Sequence, residues 1–189
     1  HQPVQWRDLA DPRYFGQIGV TDPTKSGSIA KAFEMIIHSE CRREVLAAGW
    51  TPEQIHDFEA RIAAARLPPG VMPDGVPARY QDDIERGWLA GVHLVQRIGA
   101  NARYFTDGAG KVPVDVAAGD AAAGISIDFY ARVQAEVTKA GEQVRLHYVT
   151  PLGGSSISGD PISLLRGAPH PELARRFLEY VLSEDGQKL

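Results

Sequence analysis

The sequence predicts an α/β fold with a mostly central sheet. Long segments of helical periodicity alternate with short β-branched runs, which is typical of helices that flank a sheet. The strand candidates are short and lie at residues 17–21, 122–128, 143–149 and 161–165. Glycine and proline residues separate the helical segments from one another.

The helices follow from apolar spacing and from signals at their ends. The first is expected from Ser28 to Ala48, on an apolar stripe of Ile29, Phe33, Ile36, Ile37, Cys41 and Val45. Thr51-Pro52-Glu53-Gln54 reads as a capping box that opens a second helix, which runs to about Leu67. A third is expected from Tyr80 to Ile98, a fourth from about Phe129 to Ala140, and a last from Pro171 to Ser183. The inward faces of the third and last helices are predicted as Ile84, Trp88, Val92 and Val95, and as Leu173, Phe177, Tyr180 and Val181.

Composition excludes several classes of protein. The chain has 189 residues, 43% hydrophobic and 23% charged, as in an ordinary globular protein. Its net charge of -4 argues against a nucleic-acid surface, which needs clustered positive charge. No apolar run approaches the ~20 residues of a membrane span. The single cysteine, Cys41, cannot form an intrachain disulfide and is expected to be a small core residue.

The first candidate site is the mixture of small and polar residues before the first helix. Ser26, Gly27 and Ser28 stand where the first amides of a helix have no partner and the helix dipole is positive. Glycine allows close approach of a ligand, and the two hydroxyls add donors, so the segment suits a carboxylate, phosphate or phosphonate. The simpler alternative is that Ser26 or Ser28 only caps the helix.

Three further segments supply candidates. Asp128 and Tyr130 follow a predicted strand, and ligands of open α/β sheets bind beyond the carboxyl ends of strands; the alternative is an N-cap and a rim tyrosine. The Gly-Ser loop 150–161 offers Ser155 and Ser156, either as anion donors or as parts of a plain connection. Asn101, after the third helix, either reaches a ligand or satisfies that helix terminus.

Metal and catalytic patterns are weaker. Glu34, His38 and Cys41 share a helical face, but no second cluster of ligand residues supports a metal site. There is no P-loop, no nucleophile elbow and no paired zinc-binding histidines. The sequence therefore predicts no metal, no cofactor and no enzymatic activity.

Three stretches together resemble the extracellular solute-binding proteins of ABC importers, in the branch of ferric-iron, phosphosugar and phosphonate binders. They are 6-WRDLADPRYFGQIGVTDPTKSGS-28, 119-GDAAAGISIDFYA-131 and 166-RGAPHPELARRFLEYVLSEDGQKL-189. The resemblance implies a type II periplasmic-binding-protein-like α/β fold, with two lobes that close on a solute. Residues 1–147 would form the second lobe and residues 148–189 the return into the first. The N-terminal part of the first lobe and a leader would then precede this chain.

The resemblance also implies a location and partners. The protein would be periplasmic or extracellular, would bind a small solute and would deliver it to a membrane permease, with no nucleic acid involved. Iron binders of this group carry two adjacent tyrosines where this sequence has Phe129-Tyr130, and the stretch from about Thr51 to Tyr80 is longer than expected of them. A small anionic or zwitterionic solute is therefore expected rather than ferric iron, with Asp128 facing an amine.

Two other classes remain open on the sequence. One is the effector-binding domain of a transcription regulator, which would need a DNA-binding segment before residue 1. The other is an enzyme built on the same fold, although no pair of residues can be nominated as its nucleophile and base.

Overall fold

The computed structural model describes residues 2–139, 143–152, 154–157, 159 and 161–188. Three parallel strands form its sheet: β1 (Ile18–Thr21), β2 (Ala102–Thr106) and β3 (Ala123–Gly124), in the order β2-β1-β3. Seven α-helices accompany them in the described residues: α1 (Gly27–Ala47), α2 (Pro52–Ala65), α3 (Ala78–Ala100), α4 (Lys111–Ala118), α5 (Asp128–Val137), α6 (Pro171–Val181) and α7 (Glu184–Gln187). Two short 3-10 helices, Trp6–Ala10 and Pro12–Tyr14, precede the sheet. The α/β class is thus confirmed.

The sheet lies between helices on both faces. On one face Ile18 and Val20 of β1 pack with apolar residues of α1 and α3 in a single core. On the other face Gly19 lies against α4, since a Cβ there would meet the Val112 Cγ1 at 3.2 Å and the Tyr104 hydroxyl at 2.8 Å. Alternate residues of a strand point to opposite faces, which explains the division of Ile18 and Val20 from Gly19.

A second core joins the end of α1, α2 and the start of α3. Its buried members are Val45, Ile55, Phe58, Val76 and Tyr80. The Trp50 ring makes edge-to-face contacts with Phe58 and Tyr80, at centroid distances of 5.4 and 5.7 Å. The Trp50 Nε1 donates a hydrogen bond of 2.7 Å to the buried Asp83 carboxylate, so the polar edge of the indole is satisfied.

The chain divides into two units, His1–Ser156 and Ile157–Leu189. The first contains the sheet, and the second contains α6 and α7. None of the described helices is both long and apolar enough to span a bilayer.

Several predictions of elements are wrong. β2 and α4 were not expected, whereas residues 143–149 and 161–165 contain no strand among the residues that the structure describes. The Trp88 side chain was expected to face inward but is 55% exposed. The same holds for Leu173, Phe177 and Tyr180, each of which is at least half exposed. The α3 face that is buried carries Tyr80, Asp83, Gly87, Gly91, Leu94 and Ile98. Because Gly87 and Gly91 occupy the centre of this face, the spacing of large apolar residues in the sequence does not reveal it.

Candidate functional site

The three strands end at one edge of the sheet, and a helix begins after each. α1 follows β1, α4 follows β2 and α5 follows β3. The strands are parallel, so their carboxyl ends and the positive ends of these helices meet at this edge. The Asp22 amide donates to the Thr106 carbonyl at 2.8 Å and so joins the loops that leave β1 and β2. We call this region the strand-end edge.

At the strand-end edge, the loop before α1 is shaped by Asp22. Its carboxylate accepts hydrogen bonds from the Thr24 amide at 2.9 Å and from the Thr24 hydroxyl at 2.7 Å. These bonds lower the pKa of Asp22, and the bond from the hydroxyl has the larger effect. The ionised Asp22 carboxylate therefore stabilises the turn through Thr24.

The N-terminus of α1 is open. Ser26 occupies the N-cap position with extended backbone angles, but its side chain makes no capping hydrogen bond. A Cβ at Gly27 would have no atom within 4 Å, and the side chain of Ser28 is exposed. The first amides of a 21-residue helix thus face a space that a small ligand can enter. Such a position favours negatively charged groups because hydrogen-bond donors and the helix dipole act together.

Asp128 and Tyr130 lie at the same edge, on the first turn of α5. Asp128 is the first helical residue, and its carboxylate lies 3.8 Å from the Arg132 Nε. The Tyr130 ring lies against the Phe129 ring at a tilt of 38° and a centroid distance of 4.0 Å, and it is close to Gly110, the N-cap of α4. The structure therefore brings this predicted pair to the strand-end edge with the α1 terminus.

The loop after β2 contributes residues that were not predicted. Asp107 lies directly beyond β2, and its carboxylate is 3.8 Å from the Lys25 Nζ of the loop before α1. Both side chains are exposed, so this pair contributes little to stability. The signal that could have revealed this loop was Asp107-Gly108, a turn dipeptide after the alternating pattern of residues 102–106.

Asn101 lies away from this edge. It precedes β2, at the amino end of the strand, and is buried. Its Nδ2 donates to the Leu9 carbonyl at 2.9 Å and to the Asp11 carbonyl at 2.8 Å. Five residues of strand separate it from the edge, roughly 15 Å. The Asn101 side chain therefore satisfies carbonyls of the segment before β1, and not those of the α3 terminus that the sequence suggested.

Ser155 and Ser156 are also not brought to the strand-end edge. Both are exposed, and the neighbouring Gly154 lies against Trp6 and the Ser39 Cβ of α1. Ser39 is three turns into α1, which places this contact roughly 18 Å along the helix from its N-terminus. Gly153 of the same loop lies outside the described residues.

No group of three or more His, Cys, Asp or Glu side chains in the described part of the chain is arranged to hold a metal ion. Glu34 instead pairs with Lys31. The Cys41 Sγ lies 3.6 Å from the Ile84 carbonyl of α3, as a half-buried packing residue does. Burial raises the pKa of this thiol, so it is less reactive than an exposed one.

The chain is similar to known proteins over nearly its whole length. A profile of the bacterial extracellular solute-binding proteins matches residues 1–189. An uncharacterized protein of Haemophilus influenzae is 22% identical over 190 residues, which cover 99% of this chain and 39% of that protein. The structure of the periplasmic binding protein AfuA from Actinobacillus pleuropneumoniae, with exogenous fructose-6-phosphate bound, superposes with a TM-score of 0.59 at 20% identity. The match covers 99% of this chain and 43% of AfuA.

The structural likeness confirms the type II periplasmic-binding-protein-like fold. The chain spans about two fifths of the length of the relatives that it matches. The division into a second lobe at residues 1–147 and a return segment at residues 148–189 stays a prediction.

Proposed function

Since the chain belongs to the family of bacterial extracellular solute-binding proteins, we propose that it is part of the substrate-binding component of an ABC-type importer. It captures a small anionic or zwitterionic solute between two lobes in the periplasm. The solute passes unchanged to a membrane permease, so the protein binds without catalysing a reaction. Ferric iron is not the expected cargo, because Tyr130 follows a phenylalanine instead of a second tyrosine.

The observation that carries this proposal is the open N-terminus of α1. A serine that caps a helix normally accepts a hydrogen bond from an amide of the first turn, but the side chain of Ser26 does not. The missing Cβ of Gly27 leaves the backbone accessible. Unpaired amides, a positive helix end and two hydroxyls form a receptor for an oxyanion, and Ser26, Gly27 and Ser28 supply it.

The charge around this receptor favours a solute that carries both signs or a compact anion. Lys25 adds a cation beside the helix end, while Asp107 and Asp128 add carboxylates at the same edge. Arg132 balances Asp128 at 3.8 Å, and an amine of the solute could take that place. Tyr130 supplies a ring face or a hydroxyl to the wall of the site. Asn101, Ser155 and Ser156 lie away from the strand-end edge and are not part of the proposed receptor.

The test uses the complete gene product that contains this chain. Isothermal titration calorimetry would compare fructose 6-phosphate, inorganic phosphate, an aminophosphonate, citrate and ferric iron. We expect at least one phosphate- or phosphonate-bearing solute to bind, and Gly27→Val to weaken its binding by at least about tenfold because the side chain blocks the amides.

Gly99→Val is the matched control, since Gly99 is also a helical glycine of the same unit, its Cβ would meet only the Phe105 Cζ at 3.8 Å, and it precedes β2, at the amino end of that strand. It should leave the affinity unchanged. Binding of ferric iron alone would contradict the choice of solute. Equal affinity of Gly27→Val and the unmodified protein would contradict the site.

A further inference from the structure

One hydrogen bond joins the two ends of the His1–Ser156 unit. The Trp6 Nε1 donates to the Gly154 carbonyl at 2.7 Å, across 148 positions of sequence. Trp6 stands near the start of the unit, and Gly154 stands two residues before Ser156, where the unit ends. We call this contact the Trp6–Gly154 clasp. The chain therefore enters and leaves the unit side by side.

The clasp requires glycine at position 154. A Cβ there would lie 2.5 Å from the Trp6 Nε1 and 2.8 Å from its Cδ1, closer than real Cβ atoms come. The Gly154 amide donates to the Pro151 carbonyl at 3.3 Å, so a turn presents the buried glycine to the indole. A larger residue would push the leaving segment away from the tryptophan.

The tryptophan side of the clasp is fixed to α1. Arg7, the next residue, forms a two-point ion pair with Glu40 of α1, and the Arg7 Nε lies 2.6 Å from Glu40 Oε1. The Asp8 carboxylate accepts from the Val4 amide at 2.8 Å and closes the first turn of the 3-10 helix. Trp6 is thus held between a capped turn and a partly buried ion pair. The clasp consequently ties the leaving segment to the helix whose N-terminus is the proposed receptor.

We propose that the Trp6–Gly154 clasp positions the chain where it leaves the unit, and so controls how the complete protein closes on its solute. Trp6 is a positioning residue and is not part of the receptor, since its partner Gly154 lies against Ser39, some three turns along α1 from the receptor. The coupling to solute rests on the proposed function, whereas the clasp itself does not. Hinges are a few loop or element-terminal residues that absorb the backbone rotation of closure, and residues 155–157, which follow the clasp, lie outside helices and strands.

The experiment measures amide hydrogen exchange in the complete gene product, with and without fructose 6-phosphate. Two variants break the clasp, Trp6→Phe and Gly154→Ala, and each has a matched control. Trp88→Phe changes an exposed tryptophan, and Gly99→Ala adds a methyl group that would meet only the Phe105 Cζ, at 3.8 Å. The affinity for fructose 6-phosphate and the change in radius of gyration on binding are measured for the same five proteins.

We expect Trp6→Phe and Gly154→Ala to speed exchange of the amide at position 154, which donates to the Pro151 carbonyl, about tenfold, with α1 and the sheet unchanged. Both should also change the affinity or the solute-induced compaction, while both controls match the unmodified protein. Unchanged exchange at position 154, or an equal rise throughout the unit, would overturn the clasp as a positioning device. Absence of fructose 6-phosphate binding in every protein would count against the proposed solute class, and the exchange result would still decide the clasp.

Discussion

Gly91 of α3 lies directly on the backbone of Ile37 in α1, so that a Cβ at position 91 would stand 2.6 Å from the Ile37 Cα. One turn earlier, a Cβ at Gly87 would stand 2.4 Å from the Cys41 Cα. The two glycines let the helix axes approach closely, and Leu94 and Ile98 continue the same buried face. The position of α1, and with it the proposed receptor, depends on this contact.

Gly91→Ala should destabilise the protein. The added methyl group collides with backbone, which cannot rotate away as a side chain can, so we expect a loss of about 1–3 kcal/mol in the free energy of unfolding. Gly99→Ala on the same helix is the control, since its Cβ would meet only the Phe105 Cζ at 3.8 Å. That variant should gain roughly 0.5 kcal/mol from helix propensity. Urea denaturation measures both, and equal effects would contradict the close crossing.

Thr21→Val should stabilise the protein by about 1 kcal/mol. The Thr21 hydroxyl is buried and, in the described part of the chain, has no hydrogen-bond partner. Its replacement by a methyl group therefore removes a buried polar group that is not hydrogen-bonded. Thr138→Val is the opposite case, because the Thr138 hydroxyl donates to the Gln134 carbonyl at 2.6 Å. It should lose about 0.5–1 kcal/mol. A loss of stability in Thr21→Val would show that its hydroxyl is satisfied in solution.

Local signals in the sequence were sufficient where a helix carries its own caps. Thr51 and Gln54 form the expected capping box, and α2 begins at Pro52 as predicted. The apolar stripe of α1 also holds, with Ile29, Ile36 and Val45 buried. Such features depend on neighbours a few residues away, so a single sequence contains all the information.

Strands were harder, because their stability comes from partners far along the chain. β2 follows α3 with almost no connection, and its half-buried alternation of Ala102, Tyr104 and Thr106 was not recognised as a strand. Residues 143–149 have strand-like composition, but in the described residues they form only an isolated β-bridge at Gln143 and no strand. Strand propensity expresses a fit to neighbours that sequence spacing does not reveal.

The candidate site shows the same division. The α1 terminus and the pair of Asp128 and Tyr130 were predictable, because each stands where a strand leads into a helix. The contribution of Asp107 was missed with β2, since its place depends on the neighbouring strand. Asn101 could not be assigned from its neighbours, because its side-chain amide donates hydrogen bonds to carbonyls about ninety positions away.

Acid should weaken the protein partly through Glu40. Hydrogen bonds from Arg7, and then from Arg43, lower the pKa of this carboxyl group below its usual 4.5. A carboxyl whose pKa is lowered by folding stabilises fully above the unfolded value, and the contribution is lost as the pH falls through the folded value. We therefore expect a steeper loss of unfolding free energy below about pH 4.5 in the unmodified protein than in Glu40→Gln.

The same variant should cost about 1–2 kcal/mol at pH 7, less than for a fully buried pair because Arg7 and Arg43 are 43% and 44% exposed. Glu34→Gln, which breaks the exposed pair with Lys31, should change neither quantity measurably. Denaturant titrations at a series of pH values measure both. Parallel pH profiles for Glu40→Gln and the unmodified protein would show that this ion pair is not formed in solution.

Ser26→Ala and Thr51→Ala should separate a receptor from a cap. The Thr51 side chain accepts a hydrogen bond from the Gln54 amide, so its removal should cost about 1 kcal/mol of stability. The Ser26 side chain makes no such bond, and Ser26→Ala should change stability by only a few tenths of a kcal/mol. In the complete protein Ser26→Ala should instead weaken solute binding, whereas Thr51→Ala should not. If Ser26→Ala lowered the melting temperature as much as Thr51→Ala and left binding intact, Ser26 would be a cap and the receptor would lie elsewhere.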